Sequence, residues 1–158
     1  MTGEFAVAVH SLVFLNHMKE TVSSEVLAKN VCTNPARVRK VLAKLKKKNL
    51  VLTKEGIDGG YYFDQDPNRV NLADICEALE IKAVDSSYRS GDPDVECMIA
   101  SGMAGVMDDI YQTLNQNCME SLKKITIAII DEELQKRKKQ KRRGQSFFLS
   151  GRALICLF

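Results

Sequence analysis

Thr33-Asn34-Pro35-Ala36-Arg37-Val38-Arg39-Lys40-Val41-Leu42-Ala43-Lys44-Leu45-Lys46-Lys47-Lys48 is the stretch that decides the fold of this chain. Asn34 is a strong helix N-cap, and Pro35 suits the first helical position because its missing N–H would have no partner there. The spacing predicts a helix from Pro35 to about Lys48. Val38, Val41, Leu42 and Leu45 fall on one side of it. Arg37, Lys40, Lys44 and Lys47 recur at steps of three and four and share another face. No acidic residue interrupts the run. A helix that is apolar on one side and positive on the other suits a polyanion, and the major groove of DNA, about 12 Å wide, admits a helix. Taken alone, the run is equally compatible with a solvated lysine-rich face.

The neighbouring sequence separates these readings. Glu4 to Lys19 carries Phe5, Val9, Leu12, Val13 and Met18 near helical spacing. Ser23 or Ser24 caps a short helix with Val26, Leu27 and Val31. Leu50-Val51-Leu52-Thr53 is expected to be a strand, Gly56 to Gly60 a turn, and Tyr61-Tyr62-Phe63 the returning strand. Asn71 caps a further helix through Leu79. Three helices, a hairpin and a helix make a winged helix-turn-helix, a mainly α (α+β) fold with the basic helix in the recognition position. Such helices read bases with their N-terminal residues. The candidate DNA-binding residues are therefore Ser24, Thr33, Asn34, Ala36, Arg37, Arg39, Lys40 and Lys44. On the wing, Lys54 and the backbone amides around Gly59 and Gly60 are expected to dominate, because Glu55 and Asp58 oppose phosphate.

The expected organisation is a DNA-binding domain over 1–81, a polar linker over 82–96, dimerisation helices over 97–140 and a tail over 141–158. Ile99, Met103, Val106, Ile110, Leu114, Cys118, Leu122, Ile125 and Ile129 form one apolar seam, with a break expected near Glu120-Ser121. Ile99, Met103, Val106, Ile110 and Leu114 are the candidate dimer interface, since the stripe would be exposed on a monomer. Lys136 to Arg143 is a basic run. From Gln145 the composition changes abruptly and loses helical period. The tail is expected to be an appended extension, with an apolar segment docking on the body as the alternative.

The chain has 158 residues and a net charge of +3; 45% of it is hydrophobic and 27% charged, which excludes global disorder. No apolar run suits a membrane span or a secretory signal. The five cysteines, an odd and scattered set, fit reduced thiols in a cytoplasm. No nucleophile–base constellation, phosphate loop or His-Glu metal motif occurs, so catalysis is not expected. His10 and His17 share a helix face but lack further ligands, and no metal or cofactor is expected.

Ser24 to Ala28, Asn34 to Leu45, Leu50-Val51, Gly56, Gly59-Gly60-Tyr61 and Val70 to Ile75 together resemble the Rrf2 family of bacterial winged-helix regulators, over about Phe5 to Leu134. The resemblance implies a homodimer joined by the long helix and control of transcription at operator DNA, most often repression. Some members hold an iron–sulfur cluster on three clustered cysteines. Here only Cys97 lies in the matching region, which resembles the cluster-free branch. Cys97 at a helix start and Cys32 beside the basic helix are candidate redox sensors, with small apolar filling as the plain alternative. An oxidised link between Cys97 and the partner chain's Cys32 is one form such a trigger could take. Two other functions remain open: a non-catalytic protein-interaction scaffold, and a regulator that takes a small molecule between the wing domain and the dimer helix.

Overall fold

The computed structural model describes residues 3–152, with side chains through Lys141. Of the tail over 141–158, the backbone continues in a helix through Arg152, while the side chains beyond Lys141 and residues 153–158 lie outside the described residues. Helix α1 spans Gly3–Met18, α2 Ser24–Val31 and α3 Pro35–Lys47. Strands β1 (Leu52–Lys54) and β2 (Gly60–Tyr62) follow, then α4 (Leu72–Leu79), α5 (Met98–Lys123) and α6 (Ile127–Arg152). This is the expected winged helix-turn-helix order with a long helix after it.

The caps explain where the helices begin. Ser23, rather than Ser24, caps α2 by accepting from the Val26 amide at 3.3 Å. Asn34 Oδ1 accepts from the Arg37 amide at 2.8 Å, with Pro35 in the first turn of α3. Asn71 and Asp74 form a capping box at α4. α2 ends on Cys32 in the left-handed region (φ 57°), and the Thr33 amide returns to the Ala28 carbonyl at 2.9 Å. That sharp ending sets α3 across α2.

Leu12, Leu15, Leu27, Val38, Val41, Leu42, Leu45, Ile75 and Leu79 are fully buried, so α1 to α4 share one core. Val26, expected in the short helix's apolar set, is exposed. The strand ladder begins at Leu52; Leu50 and Val51 are buried but precede it. β1 and β2 pair antiparallel with Thr53 opposite Tyr61, and Val22 bridges the other edge of Tyr61.

The seam after the linker does not run through as one stripe. The helix breaks at Lys124-Ile125-Thr126, not near Glu120-Ser121. There the chain pairs with the start of α4: the Leu72 amide donates to the Ile125 carbonyl at 2.9 Å and the Ile127 amide to the Val70 carbonyl at 3.0 Å. Leu122 and Ile127 are buried in the main core, Cys118 and Ile125 pack against it, and Ile129 is exposed. α6 then packs along α1. The segment between α4 and α5 is tied down rather than slack: Asn115 Oδ1 accepts from the amides of Ala83 and Val84, and Arg89 pairs with Asp108 at 2.6 Å.

Candidate nucleic-acid interface

A helix turns about 100° per residue. Opposite the buried row Val38, Val41, Leu42 and Leu45, this places Ala36, Lys40, Ala43 and Lys47, all exposed. Two alanines alternate with two lysines, so the helix surface can approach a groove floor closely while the cations reach out. Arg37 and Lys44 lie on the flank towards α1, and Arg39 lies on the flank towards α2.

Lys44 and Arg39 on the flanks and the outward Lys40 have ion-pair partners within the chain. Lys44 Nζ lies 2.7 Å from Glu4 Oε2, and Lys40 Nζ lies 3.6 Å from Glu4 Oε1. The Lys44 hydrogen bond leads among the causes that hold the Glu4 carboxyl below its ordinary range. The Arg37 guanidinium sits where a Cβ on Gly3 would lie. Arg39 donates to Ser24 Oγ at 2.8 Å and pairs with Glu25 at 3.1 Å. Ser24 is itself buried, and its hydroxyl is engaged by Arg39 and Glu25. Lys40 remains the most outward of the paired cations. Thr33 and Asn34 stand at the turn before α3, where Asn34 Oδ1 is taken up by capping.

On the wing, Lys54 is exposed, and the glycines serve the backbone. The Gly59 amide donates to the Gly56 carbonyl at 3.0 Å. A Cβ on Gly60 would strike the Val22 carbonyl, and Gly60 pairs with Lys54 in the ladder. The expected amide contacts from Gly59 and Gly60 are thus engaged inside the wing. Sequence reasoning missed Glu4, whose partners lie about forty residues away, and Ile57, which stands wholly exposed at the wing tip. An apolar residue inside a Gly-rich turn is a signal for the second; nothing local signals the first.

Along α5, Ile99, Met103, Val106, Ile110 and Leu114 are all exposed, as is Met98 beside them. Leu122 is the one buried residue of that helix. Cys97 is the N-cap residue of α5; its side chain makes no cap hydrogen bond, and the polar backbone amides of Ala100 and Ile99 nearby lower its thiol pKa. Cys32 is also exposed, its sulfur facing the Lys29 and Asn30 carbonyls. Cys76 is buried, and burial raises its thiol pKa. A cavity of about 480 Å³ lies between Lys82 to Ser86 and the Asp108 to Asn115 part of α5. Among the described residues no helix is long and apolar enough to cross a membrane.

The sequence profile of the Rrf2 family, described as an iron-dependent transcriptional regulator, matches residues 1–133. YwnA of Bacillus subtilis (strain 168), an HTH-type transcriptional regulator by its given name, is 27% identical over 121 residues, covering 77% of this chain and 88% of that protein. The crystal structure of a transcriptional regulator from Lactobacillus plantarum superposes with a TM-score of 0.75 at 23% identity, covering 92% of this chain and 99% of the other. CymR, the global cysteine regulator of B. subtilis, gives a TM-score of 0.62 at 15% identity, over 84% of this chain and 96% of its own. The iron in the family's description finds no matching donor set here. Among the described residues no three His, Cys, Asp or Glu side chains converge, and Cys97 is the sole thiol between α4 and α5, where a cluster needs about four ligands. On the match across residues 1–133, the chain belongs to the Rrf2 family of transcriptional regulators.

Proposed function

We propose that this chain is a homodimeric, sequence-specific operator-binding repressor of the cytoplasm. The observation that carries the reading is the outward stripe of α3. Ala36, Lys40, Ala43 and Lys47 present positive charge on a surface narrow enough to enter a major groove. Ala36, Arg37 and Lys40, near the start of the helix, face the base edges, while Lys47 and Lys54 meet phosphate. The exposed seam on α5 supplies the second half of the argument. Two copies related by a two-fold axis cover Ile99, Met103, Val106, Ile110 and Leu114, and they present two α3 helices to one face of the duplex. Selection of binding sites from a random-sequence duplex pool tests the reading. It should enrich a dyad-symmetric sequence whose half-sites lie about 34 Å apart. A monomer with no sequence preference at low salt would leave the interaction-scaffold reading in its place.

Cys97 is the proposed trigger. Its thiol is exposed, favoured as thiolate by the start of α5, and sits where the linker meets the seam. Oxidation there, alone or in a disulfide with the partner's Cys32, would alter the spacing of the two α3 helices. Operator affinity before and after mild peroxide, in the native chain and in Cys97→Ser, decides the matter. Equal loss in both removes Cys97. No loss in the native chain favours instead a small effector in the cavity between the linker and α5.

A further inference from the structure

Positive charge on this chain is segregated. Residues 136–143 hold seven of the 23 Lys and Arg, the stretch from Pro35 to Lys48 holds another seven, and neither contains an acid. The other nine face 20 Asp and Glu, so the remainder carries a net charge of −11. The second basic run begins beyond residue 133, where the match to the family profile ends.

The fold brings this run towards the first. His17 Nδ1 lies 3.6 Å from Asp131 Oδ1, which pins the start of α6 to the end of α1. Further along, His10, Val13 and Phe14 of α1 line one cavity with Leu134, Gln135 and Lys138 of α6 and with Asn30. Asp131 to Lys138 spans about 10.5 Å of helix, as does His17 to His10. The two helices therefore run antiparallel, with Lys138 level with His10. His10 in turn is 2.9 Å from Asn30, at the end of α2 and four residues before the Asn34 cap of α3. Each further turn carries α6 about 5.4 Å towards the end of α1 that holds Gly3 and Glu4. Those two residues are the ones set against Arg37, Lys40 and Lys44.

We propose that the basic part of α6, with Lys136, Lys138, Lys139 and Lys141, binds the phosphate backbone of the DNA beside the segment that α3 reads. The inference rests on the DNA-binding reading of α3 and extends its footprint. All four lysines are exposed, and the neighbouring Arg137 is held by Glu133 at 2.9 Å. A helix seated in a major groove has a phosphate rim on either side, and the basic end of α6, running along α1 towards Glu4 with lysines on several of its sides, is carried towards one of them. An anionic membrane is the rival occupant, since Phe147, Phe148 and Leu149 follow in the sequence. The course of α6 along α1 towards Glu4, which pairs with Lys40 and Lys44 of α3, favours DNA.

The test uses the full-length chain, a variant with Lys136, Lys138, Lys139 and Lys141 all changed to Gln, and a Lys40→Ala, Lys47→Ala comparator. Binding is measured against salt on random-sequence duplexes of about 20 base pairs, which cover two half-sites, and of about 40, which add flanks. Each phosphate that a lysine no longer neutralises takes about 0.9 from the slope of log affinity against log salt. The quadruple variant should show a slope shallower by about 2 to 4 per protomer and an affinity at least about tenfold weaker on the longer duplex, with a loss of the same sign on the shorter one. Equal binding by quadruple variant and native chain on both lengths, with the α3 comparator weakened, overturns this proposal and leaves α3 standing. No binding of either duplex by the native chain at low salt overturns both. Unchanged DNA binding with loss of adhesion to phosphatidylglycerol vesicles would assign the strip to a membrane surface instead.

Discussion

Changing Val106 and Ile110 together to Asp should convert a dimer into a monomer. Ile99, Met103, Val106, Ile110 and Leu114 are between 40% and 63% exposed and extend over about 22 Å of α5. Covering a whole side chain of this kind is worth about 1.5–3 kcal/mol, so covering the exposed half contributes about 1 kcal/mol each. A two-fold interface repeats every residue, and Val106 and Ile110 then account for four of ten such contributions. Losing them removes about 4 kcal/mol, or nearly a thousandfold in dimer affinity, before the cost of opposing carboxylates is added. Sedimentation at micromolar concentration reads the result, with circular dichroism as the control. Both positions are exposed in the single chain, so the helices should survive the change. A native chain that sediments as a monomer, or a double variant that sediments as a full dimer, would refute the reasoning.

Cys97 should alkylate with iodoacetamide well ahead of Cys76 near neutral pH, since the start of α5 favours its thiolate while burial disfavours that of Cys76; peptide mass mapping that finds Cys76 modified first would contradict this. Glu4 has a lowered pKa in the folded chain, so the stability it contributes is complete above the ordinary glutamate range near about 4.3 and is lost as pH falls through its lower folded value. Native protein should therefore melt above Glu4→Gln at about pH 7, with the gap closing by about pH 3; an equal gap at both would exclude the Lys44 pair as its source. Ser11→Ala should stabilise the fold by about 1 kcal/mol, because the Ser11 hydroxyl is buried without a hydrogen-bond partner. That corresponds to a rise in Tm of about 2–4 °C, and a fall would indicate an internal water on the hydroxyl.

The decisive parts of the fold were legible because their causes are local. Asn34-Pro35 starts α3 by a cap and a preset φ, and Val38, Val41, Leu42 and Leu45 fix which side is buried. Asn71 and Asp74 announce α4 in the same way. The break between α5 and α6 was misplaced because neither Pro nor Gly marks it. It is set by pairing with residues 70–72, more than fifty positions earlier. The seam was legible as a period but not in its allocation: Leu122 and Ile127 enter the main core while Ile99 to Leu114 stay exposed. The polar linker was legible from its composition, but its anchoring was not: Asn115 and Asp108 on the facing helix hold it in place. At the interface, residue types were readable and their pairing was not. Glu4, Glu25 and Ser24 engage Lys44 and Arg39 on the flanks of α3, Glu4 also reaches Lys40, and the Ala36, Lys40, Ala43, Lys47 stripe is the outward face.

The central claim is that this stripe reads DNA, and discrimination is the property that tests it. The measurement is the ratio of affinities for a selected operator and a scrambled duplex of equal length, at one fixed salt concentration, for the native chain, Lys40→Ala and Lys47→Ala. Removing a base contact at Lys40 should lower the ratio by about 1–3 kcal/mol, roughly fivefold to more than a hundredfold, while Lys47→Ala weakens both duplexes alike and preserves it. A ratio unchanged in Lys40→Ala, with both affinities at native values, would place recognition elsewhere on the molecule.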